Sequence, residues 1–405
     1  MYSQAFIAKE LYLCATQSER RNFPGGKEDM LSMIDKTIGD SIMKGTYRLK
    51  LVEHEGLYLN GQDKGSDEHL CQDLVLRKLY HNIKRIYKVN QANRNSIIKQ
   101  ILILLKEDIP LWVIRLDIRH FYESIDRKLL LARIIDKGRL NFQSTRLLQM
   151  IDSYLVSSNV CGLPRGLSIS SVLSEEYMRY FDLDVKRMAG VYYYARFVDD
   201  IIIFCSTEKA QQDVYNALSP LLNELNLTLN VEKSYCWSDM VKNQILTYLG
   251  YTFRKYEITE CVNGKNKKSK IVEVTIADKK IKMIKSRITL AFVKYSKDHD
   301  FEMLCNRVKF LTGNFTIYSK NTLSPIKVGV YFNYKEITNT TQLLELDSYY
   351  HRILHNKKGK LGSKFSFTAS QITCLSKYSF LFGFEHHVNH YFTTTMLTKI
   401  KECWL

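Results

Sequence analysis

The chain has 405 residues, with 59 Lys plus Arg against 42 Asp plus Glu, a formal charge of +17 and 12% aromatic residues. That length accommodates a catalytic unit and one further domain, and that charge favours a polyanionic partner, with the aromatic rings as stacking faces for bases. No apolar run approaches the roughly 18 residues that a membrane span needs, so a membrane partner is excluded.

The nine cysteines are scattered with no Cys-x-x-Cys pair. This argues against a zinc site or disulfide framework and for reduced thiols in a cytoplasm. The N-terminus lacks the charged start and apolar block of a secretory leader.

Residues 1 to about 40 read as helical and irregular, with Pro24-Gly-Gly26 as a break. A strand-like Tyr47-Arg-Leu-Lys-Leu-Val52 and a glycine-containing loop near Gly61 to Gly65 precede further helices. Leu111 to Asp117 is a short apolar run ending in an acid, the pattern of a buried strand with Asp117 at its C-terminal end. Helical spacing follows from about Arg127 and again over Val172 to Met188. Val191 to Phe204 then reads as two β-branched and aromatic strands joined at Asp199-Asp200. Helical spacing returns over Glu208 to Leu225. The resulting βαββαβ order belongs to an α/β sheet domain.

Two adjacent carboxylates between apolar strands are costly unless a positive group is held there; a solvated acidic turn is the competing reading. Asp117 on a neighbouring strand makes a third carboxylate. An all-oxygen set of this kind suits two Mg²⁺ ions, with Mn²⁺ as a substitute, which activate an attacking hydroxyl and steady a triphosphate.

Further motifs stand in order along the chain: Asp117-Ile-Arg-His-Phe-Tyr-Glu-Ser-Ile125, Leu163-Pro-Arg-Gly-Leu-Ser-Ile-Ser170, Phe197-Val-Asp-Asp200, Leu229-Asn-Val-Glu-Lys-Ser234 and Tyr248-Leu-Gly-Tyr-Thr-Phe253. Together they resemble the ordered motifs of reverse transcriptases, over roughly residues 40 to 260. Their wording is most similar to the bacterial defence-associated and abortive-infection members. Arg165 stands where many members have glutamine, which points away from retroviral enzymes.

The resemblance implies an α+β right-hand polymerase. N-terminal helices and fingers would occupy 1–110 and a βαββαβ palm 111–255. A basic hairpin and thumb-like helices would follow over 256–320, and an α-helical C-terminal domain over 321–405. It implies that Asp117, Asp199 and Asp200 ligate the metals, with the Ile118 carbonyl adding a ligand, and that Lys233 serves the leaving pyrophosphate. Tyr122 would sit under the incoming sugar and exclude a 2′-hydroxyl. Arg165 and Gly166 would approach nucleotide and template, and Lys88 and Arg94 would contact phosphates. Tyr248 and Gly250 would grip the primer.

In Asn263-Gly-Lys-Asn-Lys-Lys-Ser-Lys270, Asn-Gly is a turn signal, so Lys265, Lys267, Lys268 and Lys270 read as the tip of a hairpin facing a phosphate backbone. The helix from Ala277 carries one apolar and one basic face, suited to a duplex. His386, His387 and His390 read as structural, since no cysteine is near.

The implied activity is RNA-templated DNA synthesis from dNTPs, on a structured non-coding RNA, in the cytoplasm of a bacterium defending against phage, with a protein partner or a second copy of the chain as further candidates. Template-independent or protein-primed DNA synthesis, and an RNA-binding scaffold without catalysis, are the other readings; the intact triad of acids argues against the last.

Overall fold

The computed structural model describes residues 2–107, 109–238, 244–262, 265–318, 325–356 and 364–404. The chain divides into two compact units, one built chiefly from residues 1–97 and 110–238, the other from 98–109, 239–319 and 324–405.

The first unit carries the acids. Its sheet comprises β3 (Trp112–Asp117), β4 (Val191–Phe197), β5 (Asp200–Cys205) and β6 (Tyr235–Ser238), after a separate hairpin of β1 (Leu51–His54) and β2 (Leu57–Asn60). The sheet order is β4-β5-β3-β6, and each neighbouring pair is antiparallel. Helices between β3 and β4, and helix Glu208–Asn223 between β5 and β6, complete the βαββαβ order expected for a palm. Val113, Ile114 and Leu116 of β3 and Ile201 to Cys205 of β5 are fully buried. This is why those segments read as continuous apolar runs rather than alternating ones.

Helix Ser168–Arg187 packs against β4 and against helix Asp67–Ile86. One continuous core runs from Phe6 through Leu227, so the segments expected to form fingers and palm share a single apolar interior.

The N-terminal helices are fastened by buried charge. Thr16 caps helix Gln17–Asn22 in a reciprocal capping box with Glu19. The same Glu19 accepts both arms of the Arg77 guanidinium, at 2.6 and 2.8 Å. Arg77 is only 3% exposed. Beside it, buried Lys78 donates to Glu10 at 2.7 Å and to the Ser3 carbonyl at 2.7 Å. Burial alone would raise the Glu19 pKa, but the Arg77 fork and the Thr16 backbone N–H outweigh it and hold it down to about 2.

The second unit contains a three-stranded antiparallel sheet of β7 (Ile245–Tyr248), β8 (Tyr251–Val262) and β9 (Lys265–Ile276). Residues 245–255, expected with the palm, belong to this sheet. Val262 and Lys265 are register partners, so Lys265 to Lys270 lie on β9 rather than at a loop tip. Residues 263 and 264 between them are outside the described residues.

Helices Asp278–Asp298 and Phe301–Thr312 follow. A hairpin not expected from the sequence, β10 (Asn314–Tyr318) with β11 (Pro325–Gly329), spans the boundary between the expected thumb-like helices and the expected α-helical C-terminal domain. Fully buried Asn314 ties it down, donating to the carbonyls of Gly383 and Val388 and accepting from Tyr331 N–H. His387 lies 3.6 Å from the Tyr331 ring and His386 lies 4.2 Å from Phe382, which fits their structural reading. Among the described residues no helix is long and apolar enough to cross a membrane.

Glu19→Gln leaves the buried Arg77 without its forked partner and is expected to destabilise the protein by about 3 kcal/mol in denaturant unfolding. Because the Glu19 pKa is depressed, its contribution is present above the ordinary 4.5 and is lost as pH falls through about 2. The variant should therefore lose less stability than wild type across that acid range.

Candidate active site

The end of the palm sheet is where the acids meet. Asp117, the last residue of β3, and Asp200, the first of β5, are register partners. Asp199 lies in the two-residue turn between Phe197 of β4 and Asp200 of β5. In that turn Val198 has φ +62°, a left-handed conformation that a β-branched residue adopts only under constraint. The Ile118 N–H donates to the Asp199 carbonyl at 3.3 Å and pins the turn to β3.

A cleft of about 730 Å³ opens beside these residues. Asp117, Ile118, Tyr122, Arg165, Asp199 and Lys233 all line it. Asn230 donates to the Asp117 carboxylate at 2.8 Å, and the Lys233 ammonium lies 3.3 Å from the same oxygen. The Asp200 carboxylate accepts from Arg115 at 3.3 Å. Tyr122 is half-buried against the core, and burial raises its pKa.

Residues 63–253 match the family model described as "Reverse transcriptase (RNA-dependent DNA polymerase)". These residues form a reverse transcriptase domain. No curated protein sequence matches the chain. Among solved structures, apo telomerase from Candida tropicalis truncated from its C-terminal domain aligns at 15% identity and a TM-score of 0.35, over 59% of this chain and 60% of that one. Telomerase from Candida albicans in complex with a TWJ fragment of telomeric RNA aligns at 11% identity and a TM-score of 0.37, over 93% of this chain and 68% of that one. This chain thus spans about three fifths of the first of these structures.

Within the reverse transcriptase domain the electrostatics follow first from burial and then from crowding. Burial raises the Asp199 pKa, its own backbone N–H opposes that, and the Asp117 charge adds to it. Burial also raises the Asp200 pKa, with Arg115 opposing and Asp199 and Asp117 reinforcing. Among the described residues no three His, Cys, Asp or Glu side chains converge as a ready-made metal cluster; the Asp200 carboxylate is engaged by Arg115 on the neighbouring strand. The donor chemistry nevertheless fits a hard divalent cation: three carboxylates with oxygen ligands only, two of them carrying an electrostatic excess that positive charge would relieve.

Other expected site residues separate. The tight approach at Gly166 is to protein backbone: at φ +95°, an added Cβ would stand 2.5 Å from the Tyr58 carbonyl oxygen. The Tyr58 N–H also donates to the Arg165 carbonyl at 2.7 Å, so this glycine docks the β1–β2 hairpin. The Arg165 side chain pairs with Glu123 at 2.8 Å. Lys88 is exposed and Arg94 begins a helix, and neither lines the cleft.

Tyr248 is fully buried, which removes it as a contact surface for a primer. The turn of its hairpin is Leu249-Gly250, half-buried, with both residues at positive φ. Lys270 is exposed; the side chains of Lys265, Lys267 and Lys268 are outside the described residues.

Two residues at the acids were missed in the sequence. Arg115 stands two positions before Asp117, and strand periodicity places both on one face. Asn230 lies within the Leu229–Ser234 motif but carries no charge to attract notice.

Asp199→Asn removes a carboxylate that the fold holds with a raised pKa. A raised carboxylate pKa favours the neutral form in the folded state, so stability is lost as pH rises through that pKa. In chelator-treated protein the variant should melt above wild type near neutral pH, and scanning calorimetry should show the gap closing as pH falls toward the ordinary aspartate range.

Proposed function

We propose that this protein is an RNA-directed DNA polymerase working by two-metal nucleotidyl transfer. The observation that carries the reading is the convergence of Asp117 and Asp199 on one cleft, with Asp200 in register beside them and Tyr122 and Lys233 on its walls. Asp117, Asp199 and Asp200 would hold Mg²⁺, with Mn²⁺ as a substitute and the Ile118 carbonyl as a further ligand. Divalent ions bound there would acidify the primer 3′-hydroxyl and offset charge on the triphosphate.

The protein's own groups do the rest. Asn230 and Lys233 orient the Asp117 carboxylate. Lys233, more than half exposed at the cleft, is placed to neutralise or protonate a departing pyrophosphate. Tyr122, half-buried on the cleft wall, presents a ring that would crowd a 2′-hydroxyl and so select dNTPs by exclusion. Arg165 reaches the same cleft and offers a planar cation to the nucleotide. The motif wording supports a structured non-coding RNA as template and a role in bacterial antiphage defence.

Purified protein with its co-purifying nucleic acid, given each labelled dNTP with Mg²⁺, should yield labelled DNA whose sequence reports the template. Asp199→Ala should lower that yield by about three orders of magnitude; absence of incorporation with every primer would overturn the reading. Tyr122→Ala should raise ribonucleotide incorporation about tenfold or more in competition assays, and unchanged sugar selectivity would remove Tyr122 from its assigned role.

A further inference from the structure

Behind the Asp199 turn lies a charged cluster, outside the cleft lining, built on a buried arginine and two largely buried carboxylates. Arg196 of β4 is 6% exposed. Its Nε donates to Asp182 at 2.8 Å and its Nη2 donates to Asp182 at 2.8 Å and to Glu175 at 2.7 Å. Its Nη1 donates to Glu175 at 3.2 Å and to the Val198 carbonyl at 3.0 Å. Tyr194 donates to the same Asp182 at 2.6 Å.

A guanidinium has five N–H donors, and these five bonds account for all of them. None remains for a phosphate, so Arg196 is not a nucleotide-binding residue. Glu175 and Asp182 are seven positions apart on helix Ser168–Arg187, hence on one face.

The bond to Val198 is the consequential one. Val198 holds φ +62°, a conformation that is strongly disfavoured for a β-branched side chain. Its carbonyl belongs to the peptide plane that leads directly into Asp199. The carbonyl of Asp199 is in turn held by Ile118 N–H. The two peptide planes flanking the Cα of Asp199 are thus each clamped, one from the sheet and one from the buried cluster.

We propose that Arg196 is a positioning residue that holds the strained Val198–Asp199 turn, and through it the Asp199 carboxylate, in the orientation the site needs; the proposal rests on the polymerase reading only for its kinetic consequence. Arg196→Lys keeps the positive charge between Glu175 and Asp182 but cannot make five directed bonds. In the full-length protein, Mn²⁺ binding followed by electron paramagnetic resonance should weaken about tenfold in this variant, and kcat per titrated active site should fall about thirtyfold with the dNTP KM changed less than about threefold. Val198→Asn relieves the cost of positive φ, and in the Arg196→Lys background it should recover part of the lost Mn²⁺ affinity.

A lowered melting temperature with unchanged Mn²⁺ affinity and unchanged kcat per active site would reduce Arg196 to a structural ion pair and overturn the proposal. Should wild type bind Mn²⁺ yet synthesise no DNA, the affinity loss in Arg196→Lys would still support the positioning role, while the polymerase reading alone would fall.

Discussion

Holding three carboxylates together at one partly buried end of an antiparallel sheet is the constraint around which the first unit is arranged. Asp117 and Asp200 face each other across a strand pair, and Asp199 lies in the turn between β4 and β5. Burial and crowding raise the proton affinity of both Asp199 and Asp200. The fold tolerates this because cations and an amide are delivered from neighbouring backbone: Arg115 to Asp200, and Asn230 with Lys233 to Asp117. Each partner reaches its acid only in the order β4-β5-β3-β6, which places β3 between the acidic hairpin and the segment leading into β6.

The same arrangement explains why so much rigid structure lies behind a short turn. A left-handed valine is held at the point where β4 passes into β5, and the helix that packs on β4 supplies the carboxylates that fix Arg196 beneath it. That helix begins just after the Leu-Pro-Arg-Gly segment, whose Gly166 admits the backbone of Tyr58. The acidic turn and the hairpin dock are therefore mechanically connected through one helix and its N-terminal loop. Stability is lost at the acids and recovered in the core and in clamps such as Glu19 with Arg77, outside the cleft lining.

Legibility in the sequence followed the physics of each residue. The palm strands were readable because buried central strands leave unbroken apolar runs. The acids were readable because charge inside such a run is expensive. Tyr248 misled because an aromatic next to a Leu-Gly turn has the same local pattern whether its ring faces solvent or core; here it is buried. Gly166 was recognised as a close approach, but the approaching group is Tyr58, more than a hundred residues earlier in the chain. Lys265 to Lys270 read as a tip because Asn-Gly marks a turn, yet strand pairing continues to Lys265. The β10–β11 hairpin went unread because its pairing is secured by Asn314 bonding to a distant segment.

The sequence by itself determined the chemistry: which oxygens are available, that they lie at strand ends, and that an aromatic ring stands five residues beyond the first of them. These are local properties, carried by residue type and by the periods of strand and helix. Only the tertiary structure decided how the acids are partnered, that Asp200 pairs with Arg115 while Asp117 and Asp199 line the cleft, and that Arg196 spends every donor holding the turn. Partners of that kind are chosen by strand register and helix packing, and residues far apart in the chain share no signal until the fold brings them within hydrogen-bonding distance.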